Sequence, residues 1–171
     1  MKLSRVERML ISNQFKILEK LYPNEAGNYQ DQREAIENGY EYEYSDIFVN
    51  IYSDENALSS EDCREVYDIL IMYSKIKNTY DSLSDKSGIE DWQIVFSGFD
   101  GNSECEQIGY VRYLVDKKSK FSNLNRGDNF DSHMPILKSY RQMLEVWKKY
   151  ERKQVLSKDE LMEILKAFKQ N

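Results

Sequence analysis

Leu3, Val6, Leu10, Phe15, Ile17, Leu18 and Leu21 fall near one side of a 3.6-residue period, which predicts an amphipathic helix over residues 2 to 22, stopped by Pro23. Pro23 also suits an early position of a second helix, which runs through Tyr29 and Ile36 until Gly39 supplies a left-handed stop. Residues 1 to 39 therefore read as a helical hairpin. Its second arm holds few large apolar residues, so it leans on the first helix or on another molecule. Tyr40, Tyr42 and Tyr44 then alternate with Glu41, Glu43 and Ser45, the period of a short strand, whereas Ile47, Phe48 and Ile51 fit a helix. Both readings of residues 40 to 52 stay open.

A longer signal follows. Ser59 and Asp62 form a capping-box pattern, and Val66, Ile69, Leu70, Tyr73, Ile76, Tyr80 and Leu83 carry an apolar stripe that predicts a long central helix. Residues 84 to 102 read as a crossing loop around Trp92-Gln-Ile-Val-Phe96, a short strand or buried turn. Ser103 with Glu106 is again a capping-box pattern, opening a helix through Ile108, Val111, Leu114 and Val115 to about Phe121. Gly109 inside that helix predicts a close helix crossing. A polar loop leads to Pro135, where a helix with Ile136, Leu137, Tyr140, Met143, Leu144 and Trp147 begins, capped by Asp131 or Ser132. A last helix starts at the Ser157–Glu160 box and buries Leu161, Ile164, Leu165 and Phe168. The expected fold is all-α: an irregular helical bundle with an N-terminal helical hairpin and at most one or two very short strands. One domain is expected over 1–171, with a hairpin arm at 1–39 and a helical core at 58–171.

Charge changes the picture of the arm. The net charge is −6, yet residues 24 to 68 hold 13 acidic and 2 basic side chains, which is −11 and leaves +5 for the rest. A negative overall field disfavours nonspecific nucleic-acid binding unless the basic groups gather. Lys138, Arg141, Lys148, Lys149, Arg152 and Lys153 are the set that would gather, as a solvated face or as the partner of another subunit's acidic segment. No apolar run reaches the roughly 20 residues of a membrane span, and Cys63 and Cys105 form no Cys-x-x-Cys pair, so a cytoplasmic, reducing setting is expected. Their glutamate-rich surroundings disfavour reactive thiols.

Candidate chemistry concentrates in two loops. Asp100, Asn102 and Glu104 imitate the first ligands of a calcium loop, but Cys105 replaces its glycine and Val111 its closing glutamate, so no metal is expected. Asp100 and Ser103 more simply satisfy amides at a helix start. Asp128 and Asp131 precede the single histidine, His133, which makes the trio a candidate acid–base group, without any nucleophile elbow beside it. Arg112 lies within an apolar stretch, where burial would demand a carboxylate partner such as Asp100 or Asp128. With Arg126 it would bind an anion, and Asp100 and Asn102 complete that candidate ligand set.

The block from Gly98 to Asp116, Ile11-Ser-Asn-Gln-Phe-Lys near the start, Tyr140-Arg-Gln-Met-Leu-Glu-Val-Trp147 and Leu156-Ser-Lys-Asp-Glu-Leu resemble the YfbU family of small bacterial proteins, in order and in rough spacing. The resemblance covers most of the chain. It implies a predominantly helical fold and a cytoplasmic bacterial setting, and it carries over no catalytic residue and no cofactor.

Thirteen tyrosines and two tryptophans exceed the needs of a core this size, and tyrosine suits partly wet interfaces. The expected function is that of a non-catalytic, dimeric protein-interaction or regulatory module, its amino-terminal arm packing on a second copy. The alternative is a small anionic-ligand-binding or hydrolytic protein, with its site between the Asp100 loop and the Arg126–His133 loop.

Overall fold

The computed structural model describes residues 1–125, 127–153 and 155–169. The chain is all-α, with seven α-helices and no strand among the described residues, and it forms two compact units, Met1–Asn56 and Ala57–Asn171. The division falls between the anticipated arm, 1–39, and the anticipated core, 58–171.

In the amino-terminal unit, α1 spans Arg5–Leu21. Ser4 caps it: the hydroxyl accepts from the Glu7 amide and the Glu7 carboxylate accepts from the Ser4 amide at 2.7 Å. Pro23 stops the helix and opens a 3-10 turn, Pro23–Glu25, that leads into α2, Ala26–Asn38. Gly39 ends α2 at φ +73°, and the Tyr40 amide reaches back to the Ala35 carbonyl at 2.9 Å, a Schellman-type closure. The Arg8 guanidinium donates to the carbonyls of Ile36 and Glu37 at this helix end. Ser12 donates to Glu37 at 2.7 Å, and Arg33 bridges Glu19 at 2.6 Å and Glu37 at 3.2 Å. Part of the acidic excess is thus answered within the hairpin.

The apolar stripe of α1 divides. Phe15 is buried and Leu3, Ile11 and Leu18 pack beside it, while Val6, Leu10, Ile17 and Leu21 point to solvent. The second arm is as thin as its sequence suggests, burying Ala35 and Ile36 alone. Residues 40 to 47 settle as helical turns, a 3-10 turn at Glu41–Glu43 and the short α3 at Tyr44–Ile47. Tyr44 enters the core while Tyr42 is 91% exposed, because three repeats of alternation have no neighbouring strand to pair with.

In the second unit, α4 (Ser60–Ser82) is the central element, capped by the expected Ser59–Asp62 box and packed against α5 (Cys105–Arg112), α6 (Leu137–Lys149) and α7 (Lys158–Lys166). The core gathers around Tyr73, Phe96, Phe99 and Tyr140, whose rings meet at centroid distances of 5.3 to 5.7 Å. The Ser157–Glu160 box caps α7 as read from sequence. Trp92–Phe96 contains a 3-10 turn, Asp91–Ile94, rather than a strand.

Three local expectations are corrected. The Ser103–Glu106 box does not form: Glu104 is the cap residue of α5. The helix also ends before Phe121. It widens into a π turn at Tyr113–Lys117, and the chain then leaves through Ser119 and Phe121 at positive φ. Gly109 marks no crossing, since a Cβ placed there would meet nothing within 4 Å.

Candidate functional site

The two loops that hold the candidate residues are joined by their backbones. The Phe99 amide donates to the Phe130 carbonyl at 3.0 Å and the Ser132 amide to the Phe99 carbonyl at 2.9 Å, a one-residue parallel bridge between Phe99 and Asp131. Gly98 makes this possible: at φ +89°, a Cβ would stand 2.0 Å from the Phe130 carbonyl oxygen. The buried Tyr140 hydroxyl donates to the Gly98 carbonyl at 3.1 Å from the core side.

The carboxylates at this corner serve the chain's own donors. Asp100, 3% exposed, accepts from the Ser103 hydroxyl at 2.6 Å, the Ser103 amide at 3.1 Å and the Asn102 side chain at 3.3 Å. Chiefly through the Ser103 hydroxyl, and against the effect of burial, its carboxyl is held below the ordinary aspartate range. Asp131 accepts from the His133 amide at 2.8 Å and the Gly101 amide at 3.1 Å, and the His133 amide is the main cause of its lowered pKa.

Glu104, read from sequence only as part of a calcium-loop imitation, has a different task. Buried to 7% exposure, its carboxylate accepts from the Asp100 amide at 2.9 Å, the Ile136 amide at 3.1 Å and the Leu137 amide at 2.9 Å. It thereby satisfies free amides at the start of α6, the task expected of Asp131 or Ser132. Ser132 instead donates to the Met134 carbonyl at 2.7 Å. The sequence carried no signal for the Glu104 cap, because Asp131 and Ser132 stand closer to Pro135 as candidate caps.

Of the other candidates, His133 has a side chain 82% exposed, its Nδ1 3.3 Å from Asp131 Oδ2. Asp128 accepts from the Phe130 amide at 3.1 Å, closing a turn within its own loop. Arg112 is exposed and not buried as expected; it donates through Nε and Nη2 to the Asn129 carbonyl at 3.1 and 2.8 Å, because a solvated guanidinium needs no carboxylate partner. Arg126 lies outside the described residues. The structure brings Asp100, Asn102, Asp131 and His133 into one corner and ties Arg112 to its edge.

Beneath the same loops lies a cleft of about 150 Å³, lined by Ser97, Ser132, Met134 and Ile136 from the loops and by Tyr73, Trp92, Gln93, Val95, Leu165 and Phe168 around them. None of these side chains carries a charge. The space is that of about one small ring. Of the basic set, Arg141 pairs with Glu65, Arg152 with Asp68 and Lys153 with Glu160, so much of that face is neutralised locally.

The YfbU domain family matches residues 1–167, across both units. The chain is also 36% identical over 172 residues to the UPF0304 protein MJECS11 of the archaeon Methanocaldococcus jannaschii, with 96% of this chain and 99% of that protein covered. The chain belongs to the YfbU family. Because that relative is archaeal, family membership alone fixes no bacterial source. No helix is long and apolar enough to cross a membrane among the described residues.

Proposed function

We propose that this YfbU-family chain is a non-catalytic, dimeric helical protein that acts through protein contacts, as a small cytoplasmic regulator, with its amino-terminal unit as the contact element. The observation that carries the reading is the outer face of α1, where Val6, Leu10, Ile17 and Leu21 are 62, 55, 52 and 65% exposed on a well-capped helix. The buried cluster of that unit is only Phe15, Ile36 and Tyr44, with six partly buried side chains around it. A core this small gives little stability by itself, so a further apolar surface has a clear use for a partner. Tyr22, Tyr40, Tyr42 and Tyr52 are exposed in the same unit and suit such a contact. Attraction between acidic and basic faces of two copies is the weaker form of the reading, since Arg141, Arg152 and Lys153 already hold acids of their own chain.

Light-scattering mass at about 0.1 M and about 1 M salt tests this, because such a change shortens the Debye length from ~10 to ~3 Å. The expected result is a dimer at both, converted to a folded monomer by Leu10→Lys with Ile17→Lys. A wild-type monomer at both salts would overturn the reading.

The cleft supports a second reading, ligand binding beneath the two loops, in a space that Asp100, Asn102, Arg112, Asp128, Asp131 and His133 do not line. Its uncharged lining suits a small neutral ring better than the anion first expected. Trp92 at its edge is 55% exposed and Trp147 is buried, so saturable quenching by benzyl alcohol and not by benzoate is the expected signature. An anion site would instead give benzoate binding that Arg112→Ala removes with the fold retained.

A further inference from the structure

The exposed face of α1 reads the same from both ends. Val6 and Leu10 lie four residues apart, Ile17 and Leu21 lie four apart, and Asn13 and Gln14 occupy the middle. At about 100° per residue the four apolar side chains fall within about 60° of arc, roughly opposite the face that buries Ser12 and Phe15 against α2. The hairpin therefore leaves the stripe unobstructed by its own second arm.

We propose that two copies of the chain pair through this stripe as antiparallel α1 helices, with the two-fold axis between Asn13 and Gln14. This rests on the dimer reading above and specifies its surface and orientation. In that arrangement Val6 meets the region of Leu21 in the other copy, and Leu10 meets Ile17. The two central amides meet amides and pair, where a shifted register would bury them against apolar side chains. A two-fold contact of this kind is self-complementary by construction.

Charge selects the antiparallel orientation. A parallel pair in register sets Lys20 beside Lys20 and Glu7 beside Glu7, both like pairs. Reversal moves the two Lys20 side chains, and the two Glu7 side chains, about 20 Å apart along the axis at ~1.5 Å rise per residue. That exceeds the Debye length of ~8 Å at physiological salt. It also opposes the two helix dipoles.

Single cysteine substitutions test it in the full chain, with the free Cys63 and Cys105 changed to serine. A disulfide needs Cα atoms within ~7 Å, so in an antiparallel pair Asn13→Cys or Gln14→Cys links to its own copy under mild oxidation. Leu10→Cys and Ile17→Cys, about 10 Å apart from their own copies along the axis, do not link singly, and the double variant does. Self-linking of Leu10→Cys and Ile17→Cys separately would overturn the orientation. A dimer by light scattering that none of these variants links would overturn the surface and leave the dimer reading standing. A monomer would remove both.

Discussion

At Glu104 one carboxylate holds three amides from two places in the chain, Asp100 on one side and Ile136 and Leu137 on the other. Charge-assisted bonds to buried amides are expensive to lose, about 1 to 3 kcal/mol for each group left unsatisfied. Glu104→Ala is therefore expected to destabilise the protein by at least about 3 kcal/mol in urea unfolding. Gly98→Ala should cost a similar amount, since the new Cβ would meet the Phe130 carbonyl and cannot adopt φ +89° without strain. Gly109→Ala should act in the opposite direction. The position is exposed, helical and open, so alanine should raise stability by about 0.5 to 1 kcal/mol.

Among the elements, the carboxylates in the capping boxes of α1, α4 and α7 are all held below their ordinary range. Glu7 is lowered mainly by the Ser4 amide, Asp62 by the Ser59 hydroxyl and Glu160 by Lys153. Asp100 and Asp131 join them at the loop corner. A folded-state pKa below the unfolded value means that the unfolded chain takes up protons first. The stabilisation is complete above the ordinary carboxylate pKa and drains away as pH falls through the lowered values. Thermal midpoints should accordingly decline below about pH 4, the ordinary range for Asp and Glu. Ser59→Ala or Ser157→Ala should each cost about 1 kcal/mol, and Ser59→Ala, which removes the main hold on Asp62, should also narrow that acid dependence.

For the whole molecule, the charge segregation that suggested subunit pairing is answered in part inside the chain. Arg33 and Lys16 answer Glu19 and Glu37 within the hairpin, and Arg141, Arg152 and Lys153 answer acids in the second unit. Exposed pairs of this sort contribute little each and weaken with salt. A dimer built on the exposed apolar face of α1 should keep its mass at high salt, as the light-scattering comparison would show.

The sequence alone determined where most of the helices lie, because their signals are local. Capping boxes at Ser59 and Ser157, the stop at Pro23 and the left-handed end at Gly39 depend on neighbours within a few residues, and periodicity marks the buried faces of α4, α6 and α7. The two candidate loops were also legible as turn chemistry. What only tertiary structure decided is where a residue serves something distant. Glu104 caps a helix thirty-two residues on, Arg112 reaches the Asn129 carbonyl from an exposed position, and the cleft has walls from separate parts of one unit. The division of the α1 stripe into a buried and an exposed face belongs here too. Periodicity registers that a helix is apolar over a wide arc, but which part of the arc meets its neighbour is set by the packing of α2 and the size of the core that forms there.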